Sequence, residues 1–411
     1  MIPLFYEDMP VAAIETQRGP RLRYDPSWTR RPAAFPISLA LPFSDAPYPP
    51  ERFLPWLANL LPESHLAEIG QQLKLAPQDI LGLLEVIGRD TAGALSIGVP
   101  RKPGEHFKPV ASEAALERII EELPQKPFLV GTHGVSMSLA GVQDKLPVHV
   151  DDHRIAIPID GTPSTHILKP DAARLAGSVQ NEAFCMTLAR LCGLDAASVT
   201  TGTAGTRSYL LAKRYDRIKA GGETRRIHQE DFCQLLGIYP SRKYERGSAL
   251  AGPGPGLKDM FGAVEAHVSP GARLALLDGV IFNALIANTD SHAKNYSVLI
   301  GAGGSAKLAP LYDLMCAAVY PHVDRMLPQR IGSRTDPADL NREDWEALAQ
   351  EAGLSPARTL SRIGELAERI ETHAEEAEAI VAEMPAGGHP MLPTICFEVR
   401  KRSQRIARQA V

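Results

Sequence analysis

The stretch VIFNALIANTDSHAKNYSVLI, residues 280–300, limits what this chain can fold into more than any other. Ile281, Leu285 and Ile286 fall at helical spacing and predict a buried helix. The chain then turns polar over Asn288-Thr-Asp-Ser-His-Ala-Lys-Asn295, and an apolar strand follows from Tyr296 to Ile300. Gly301-Ala-Gly-Gly-Ser305 is a turn signal, Lys307 to Leu311 reads as the returning strand, and Tyr312-Asp313 ends it. An antiparallel hairpin brings its open ends together, so Asn295 and Asp313 are expected at one point. Asp290 stands just ahead of them, in the loop between helix and hairpin.

Two carboxylates and an amide at the base of one rigid unit are hard oxygen ligands, which suit magnesium bridging nucleotide phosphates. The spacing Asp-x-x-x-x-Asn followed downstream by Asp is that of a kinase catalytic loop and its metal-binding Asp. Asp290 is the candidate base, and Asn295 and Asp313 are the candidate metal ligands. His292 and Lys294 join them as candidates at the nucleotide. A lone loop histidine is more often structural, and Lys294 either neutralises phosphate or is solvated.

At 411 residues the chain exceeds one compact core, so two or three packed units are expected. Short strand-like runs and Pro-rich connections fill residues 1–100, and Ser112 to Leu123 reads as a helix capped by Ser112. Strand signals LPVHV, HRIAIPI, THILK and YLLAKRY alternate with the helix NEAFCMTLARLCGL, which Gly193 stops. From about 226 the chain is mainly helical, with candidates Ala272–Ala287, Arg342–Ala352 and Ala357–Glu383. The Gly- and Pro-rich segment 241–259 reads as a mobile surface loop. The expectation is an α+β protein of two lobes, with a strand-rich N-terminal half and a mainly helical C-terminal half around a cleft, divided as 1–125, 126–217 and 218–411.

The formal net charge of −4 lacks the basic excess of a chain that binds nucleic acid alone, so contact with DNA is expected only through a partner. Arg400, Lys401, Arg402, Arg405 and Arg408 read as a solvated helix face, with contact to DNA phosphates as the alternative. Five scattered cysteines without a CxxC pair read as reduced thiols rather than a disulfide or zinc framework. No basic-then-apolar leader and no long apolar span is evident, so a cytoplasmic protein without membrane attachment is expected.

Two further segments address the nucleotide. THILKP places Lys169 at the end of an apolar strand, where its charge could reach phosphates, and Glu182 on the next helix faces the right way to pair with it. SMSLAGVQDKLPV, with Ser136, Ser138, Gly141, Gln143 and Lys145, reads as a phosphate-binding loop entering a strand, although it matches neither GxGxxG nor the P-loop. YLLAKRYDR reads as the connection between lobes, with Tyr215 packing on either the adenine or the core.

Together these segments resemble the HipA family of toxin kinases. SLAGVQDKLPV, STHILKP, NEAFCMTLARLCGL, HQEDFCQLLG, IANTDSHAKNYSVLI and LAPLYDL follow the family's motifs in order. YDPSW, PISLALP, NLLPES and GRDTAGALSI resemble its N-terminal companion subdomain. His228 replaces a usual proline, and Ala212 and Lys213 replace valine and glutamate. The resemblance implies a protein- and phosphoinositide-kinase-like fold using ATP and magnesium. It implies Asp290 as base, Asn295 and Asp313 on magnesium, Lys169 on ATP phosphates, Lys213 and Tyr215 at adenine, and Ser138 as the autophosphorylated serine. It also implies a HipB-like helix-turn-helix antitoxin and a protein target, of which glutamyl-tRNA synthetase is the best-known case. Two rival readings are a kinase-fold enzyme for a small molecule or lipid, and a non-catalytic co-repressor.

Overall fold

The computed structural model describes residues 1–410 apart from Arg18 and Ala249, the latter within the Gly- and Pro-rich loop expected over 241–259. The first unit is a four-stranded antiparallel sheet of β1 (Ile2–Tyr6), β2 (Met9–Glu15), β3 (Arg21–Tyr24) and β4 (Leu95–Ile97), in the order β3-β2-β1-β4. Alternation buries Ile2 and Leu4 of β1 and Leu22 and Tyr24 of β3, so one face of the sheet is apolar. That face is covered by Trp28, Phe53 and Trp56 from the helices Pro26–Thr29 and Pro50–Ala58.

The second sheet has six antiparallel strands: β5 (Phe107–Pro109), β6 (Leu146–Asp151), β7 (Arg154–Pro158), β8 (His166–Pro170), β9 (Val199–Ala204) and β10 (Arg207–Lys213). Their order, β5-β7-β6-β8-β10-β9, places β8 between β6 and β10. β5 belongs to this sheet, and the Ser112-capped helix Glu113–Glu122 packs against β9. Both elements therefore lie with the second unit, ahead of a division at 125.

The helix Ser178–Leu191 is buried on nearly every side and packs against Pro356–Ala382 and the C-terminal helix Met391–Ala410. Its polar residues are internally satisfied: Asn181 exchanges hydrogen bonds with the backbone of Cys316, at 2.9 and 2.8 Å. The expected long helices appear at Ala272–Leu285, Arg342–Glu351 and Pro356–Ala382. Asn341 with Asp344 forms a capping box on the second, and Ser355 with Pro356 opens the third.

Three strands within the helical half were not expected in full. β11 (Arg217–Ala220) and β12 (Glu223–Arg226) pair as a hairpin, and β13 (His228–Asp231) adds to β14 (Ser297–Ile300) and β15 (Ala306–Leu308). HQED carries no strand signal of its own; its pairing with apolar β14 makes it a strand.

A buried ion network locks the first unit to the second. The Asp90 carboxylate lies 2.9 Å from Arg217, 3.3 Å from Arg226 and 3.7 Å from Arg214, and accepts the Ser164 N–H at 3.1 Å. Asp216 takes the other side of Arg214 and accepts the Gly93 N–H. Burial opposes the Asp90 charge, but the three guanidinium groups outweigh it and hold its carboxyl well below the usual range.

All five cysteines are buried and unpaired. Of the basic residues near the C-terminus, Arg400 pairs with Glu371 and Glu375, and Lys401 and Arg402 pair with Glu398. No described helix is long and apolar enough to cross a membrane.

Candidate active site

The helix Ala272–Leu285 delivers the loop of interest and ends at Ile286. Ala287 then takes a left-handed turn (φ 54°), and Asn288 folds back, its N–H donating to the Asn283 carbonyl at 2.8 Å. The Asn288 amide donates to Asn283 Oδ1 at 2.8 Å and to the Asp313 carbonyl at 3.3 Å, while its own Oδ1 accepts the Asp290 N–H at 3.2 Å. One side chain thus ties the helix end, the Asp290 loop and the far end of the hairpin. Tyr312 closes the same junction by donating to the Lys294 carbonyl at 2.5 Å and lying 2.7 Å from Ser297 Oγ.

Asn295 donates from Nδ2 to the Asp290 carbonyl at 2.8 Å, which directs the opposite end of its amide, an oxygen, outward from that bond. Asp290 itself is exposed and receives the Tyr244 phenol on Oδ1 at 2.5 Å. The protein walls around its carboxyl, and then the nearby Asp313 charge, raise its pKa above the ordinary aspartate value against the help of Tyr244.

Lys169, on the central strand β8, places its ammonium 2.6 Å from Glu182 Oε1 and 2.8 Å from Asp313 Oδ1. Burial opposes that ammonium, but Asp313 and Glu182 overcome it and hold its pKa above the lysine norm. Burial likewise opposes the Asp313 charge, and Lys169 and Lys145 hold its carboxyl well below the usual range. Asp313 sits in the left-handed region (φ 58°), an uncommon conformation for a non-glycine residue that turns its carboxylate back to the strand lysine.

The loop ahead of β6 lies against the first unit. Ser138 is fully buried and donates its hydroxyl to the Leu60 carbonyl at 2.7 Å. The Glu63 N–H donates to the Gly141 carbonyl at 3.1 Å, Ser64 Oγ to the Val142 carbonyl at 2.8 Å, and His65 Nε2 lies 3.1 Å from Asp144. Residues 60–65 and 138–144 therefore run as a seam. Lys145 donates to the Ala140 carbonyl at 2.7 Å, and burial followed by the Lys169 charge lowers its pKa to about 8. Gly141 (φ 110°) takes a backbone conformation that residues with a side chain rarely adopt, and a Cβ there would also oblige the Lys145 ammonium to shift. Gln143 is half-buried in the same loop.

Several sequence expectations take a different place. The Lys294 ammonium spends its three donors on Asp231 at 2.6 Å and on the Asn59 side chain and carbonyl at 2.7 and 3.3 Å, so it is a buried tie rather than a phosphate ligand or a solvated charge. Lys213 is exposed, and its N–H donates to the Ser198 carbonyl at 2.8 Å. Tyr215 donates to Gln229 at 2.5 Å and packs on Tyr312 with ring centres 5.7 Å apart, which makes it a support under the hairpin. His292 is buried and held neutral by that burial, and its Nδ1 has no hydrogen-bond partner among the described residues. Sequence reasoning missed Tyr244, Lys243 and Asn59; the NLLPES segment marks the last of these only by resemblance.

Among the described residues no cluster of three or more His, Cys, Asp or Glu side chains could chelate a metal alone. The oxygens of Asp313 and Asn295 instead fit a cation completed by phosphate oxygens and water, which is how magnesium binds at nucleotide sites.

A strand lysine paired with a helix glutamate, facing an Asp-x-x-x-x-Asn loop and a downstream Asp, defines a protein-kinase-like phosphotransferase. The family models resolve the class further. The HipA N-terminal domain matches residues 3–98 and the HipA-like C-terminal domain matches residues 137–374, so the chain belongs to the HipA family. It is 38% identical over 373 residues to "Putative kinase Y4mE" of Sinorhizobium fredii, across 88% of this chain and 86% of that one. It is 30% identical over 365 residues to the serine/threonine-protein kinase toxin HipA of Shewanella oneidensis, across 85% and 82%. It superposes with a TM-score of 0.86 and 26% identity on a chain of the Shewanella oneidensis toxin–antitoxin complex of HipA, HipB and operator DNA, covering 100% of this chain and 99% of the other.

Proposed function

We propose that the chain is an ATP- and magnesium-dependent serine/threonine protein kinase that acts as the toxin of a HipA–HipB-type module. The observation that carries this reading is the Lys169 ammonium held between Glu182 and Asp313, opposite Asp290 and Asn295. Phosphoryl transfer needs positioning and charge neutralisation more than covalent chemistry, and these residues supply both. Lys169 and Lys145 face the phosphates. Asp313 and Asn295 would hold magnesium, which when bound screens the phosphate charge. Asp290 accepts the proton of the acceptor hydroxyl.

The acceptor is a serine or threonine of a protein target, with an aminoacyl-tRNA synthetase as the family's example. Ser138 is the serine of the chain's own autophosphorylation. A HipB-like helix-turn-helix antitoxin is the partner through which the chain reaches DNA, and the net charge of −4 supports an indirect contact. The cytoplasm, where both target and operator lie, is the place of action.

Incubation with radiolabelled ATP and magnesium tests the reading directly. Label should enter protein in the wild type, and should be lost in Asp290→Asn and on chelation. Wild-type levels of transfer in Asp290→Asn would remove the assignment of the base, and sequence-specific DNA binding by the chain alone would count against the partner.

A further inference from the structure

Tyr244 lies in the Gly- and Pro-rich loop, which phosphoryl transfer as set out above does not use. Its phenol nevertheless donates to the catalytic carboxylate, at 2.5 Å from Asp290 Oδ1. The contact is built in rather than incidental. The ring meets His292 edge-on with centres 5.1 Å apart. The preceding residue, Lys243, is fixed twice: its carbonyl accepts the Ala293 N–H at 3.2 Å, and its buried ammonium lies 2.7 Å from Glu63 of the first unit. Two N–H groups of the same loop, from Gly247 and Gly254, close on the Tyr244 carbonyl at 3.0 and 3.1 Å.

A base must hold the acceptor hydroxyl at hydrogen-bond distance, about 2.6–3.2 Å, before it takes the proton. Asp290 already holds a hydroxyl in that way, and that hydroxyl belongs to the protein itself. We propose that Tyr244 is the acceptor-selecting residue of this enzyme: its phenol keeps the place of the incoming serine or threonine hydroxyl on Asp290, and the acceptor must displace it. The proposal rests on the reading of Asp290 as the base. After displacement the acceptor oxygen bonds the γ-phosphorus as the bond to the β–γ bridging oxygen breaks. The acceptor proton passes to Asp290, and ADP leaves. Water gains little from the site because it lacks a polypeptide's binding energy to displace the phenol hydroxyl from Asp290, which the ring's packing on His292 holds in place. The Lys243–Glu63 pair makes the first unit part of the restraint.

Two measurements on the full chain test this. The first reads the contact without using activity. N-acetylimidazole acetylates accessible phenols, and mass spectrometry of proteolytic peptides can follow Tyr244 against Tyr239, whose exposure of 40% provides an internal standard. Tyr244 should react several times more slowly in the wild type than in Asp290→Ala; equal rates in the two overturn the proposal.

The second measures ATP hydrolysis, with water as the acceptor, in wild type, Tyr244→Phe and Tyr244→Ala. Tyr244→Phe keeps the ring on His292 and removes only the hydroxyl, so a packing role predicts no change. Loss of a blocking hydrogen bond predicts hydrolysis faster by about 3- to 10-fold, the size one such bond confers. The rise should appear in kcat with KM for ATP unmoved. An active wild type with no acceleration in Tyr244→Phe overturns the proposal alone, even if Tyr244→Ala fails to fold. Absence of ATP turnover and of phosphate transfer in every form overturns the kinase reading, and the proposal with it.

Discussion

Lys169 and Asp313 lie 144 residues apart in the chain and 2.8 Å apart in space, joining the central strand of the six-stranded sheet to the segment that follows the β14–β15 hairpin. Because Glu182 shares the same ammonium, removal of Lys169 leaves a buried carboxylate without its cation. Lys169→Met should therefore lower stability by about 3 kcal/mol or more, the usual cost of breaking a buried pair from one side. Thermal unfolding checks it. A melting temperature equal to the wild type would mean that the triad contributes nothing to the fold.

Asp290→Asn should keep the melting temperature and ATP affinity while lowering phosphoryl transfer by ~100-fold or more, the scale of general-base help. Asp313→Ala should lose transfer and also the magnesium dependence of nucleotide binding, which calorimetry with and without the metal can separate. The same nucleotide affinity in both conditions for the wild type would remove Asp313 as a ligand.

With its pKa lowered to about 8, Lys145 should give nucleotide binding a pH dependence. The group is a cation below that value and neutral above it, so its attraction for phosphate is present at pH 7 and fades as pH rises through about 8. ATP affinity should fall between pH 7 and 9 in the wild type and stay flatter in Lys145→Arg, which keeps its charge. Parallel pH profiles for the two proteins would exclude Lys145 as the source.

Glu230, on β13, is fully buried and accepts the Leu39 N–H at 2.9 Å. Burial pushes its pKa up to about 8. The folded state thus holds a proton that the unfolded state releases near the ordinary glutamate value, so Glu230 costs stability increasingly as pH rises from about 4.5 to about 8. Glu230→Gln should melt increasingly above the wild type across that window, and at a constant offset beyond it. An offset independent of pH would show that the carboxyl is ionised throughout.

Ser138 cannot accept a phosphoryl group while its hydroxyl is buried against the Leu60 carbonyl. A phosphoserine carries about −1.5 to −2 charge, which that site cannot bury. Phosphorylation should therefore follow release of the seam and should lower ATP affinity. Mass spectrometry and ATP titration check the two effects, and a phosphorylated form with unchanged affinity would disconnect Ser138 from the nucleotide.

Much of the site was legible because it is local. The helix, loop and hairpin of residues 272–308 follow from apolar spacing and a Gly-rich turn; Asp290 and Asn295 are carried on that unit, and Asp313 follows shortly after its last strand. The Lys169–Glu182 pair was legible from a strand followed by a helix. What escaped depends on partners far away in sequence. Lys294 meets Asn59 across 235 residues, and Tyr244 reaches Asp290 from a loop whose composition suggests only mobility. Lys213 ends β10 with its N–H on the Ser198 carbonyl and its side chain exposed, whereas Tyr215 lies beyond the strand, with its hydroxyl on Gln229 and its ring against Tyr312. β13 escaped because its four polar residues are recruited by a neighbouring strand.

The seam along residues 60–65 and 138–144 combines one main-chain hydrogen bond, Glu63 to Gly141, with side-chain contacts made by Ser138, Ser64 and the His65–Asp144 pair. The Asp90 network adds a second attachment that is wholly non-covalent. Covalent continuity through the exposed turn at Lys102 and Pro103 is then not what holds the particle together. Two co-expressed fragments divided between those residues should find each other and copurify, and the smaller would act as a removable chaperone for the 138–144 loop of the larger.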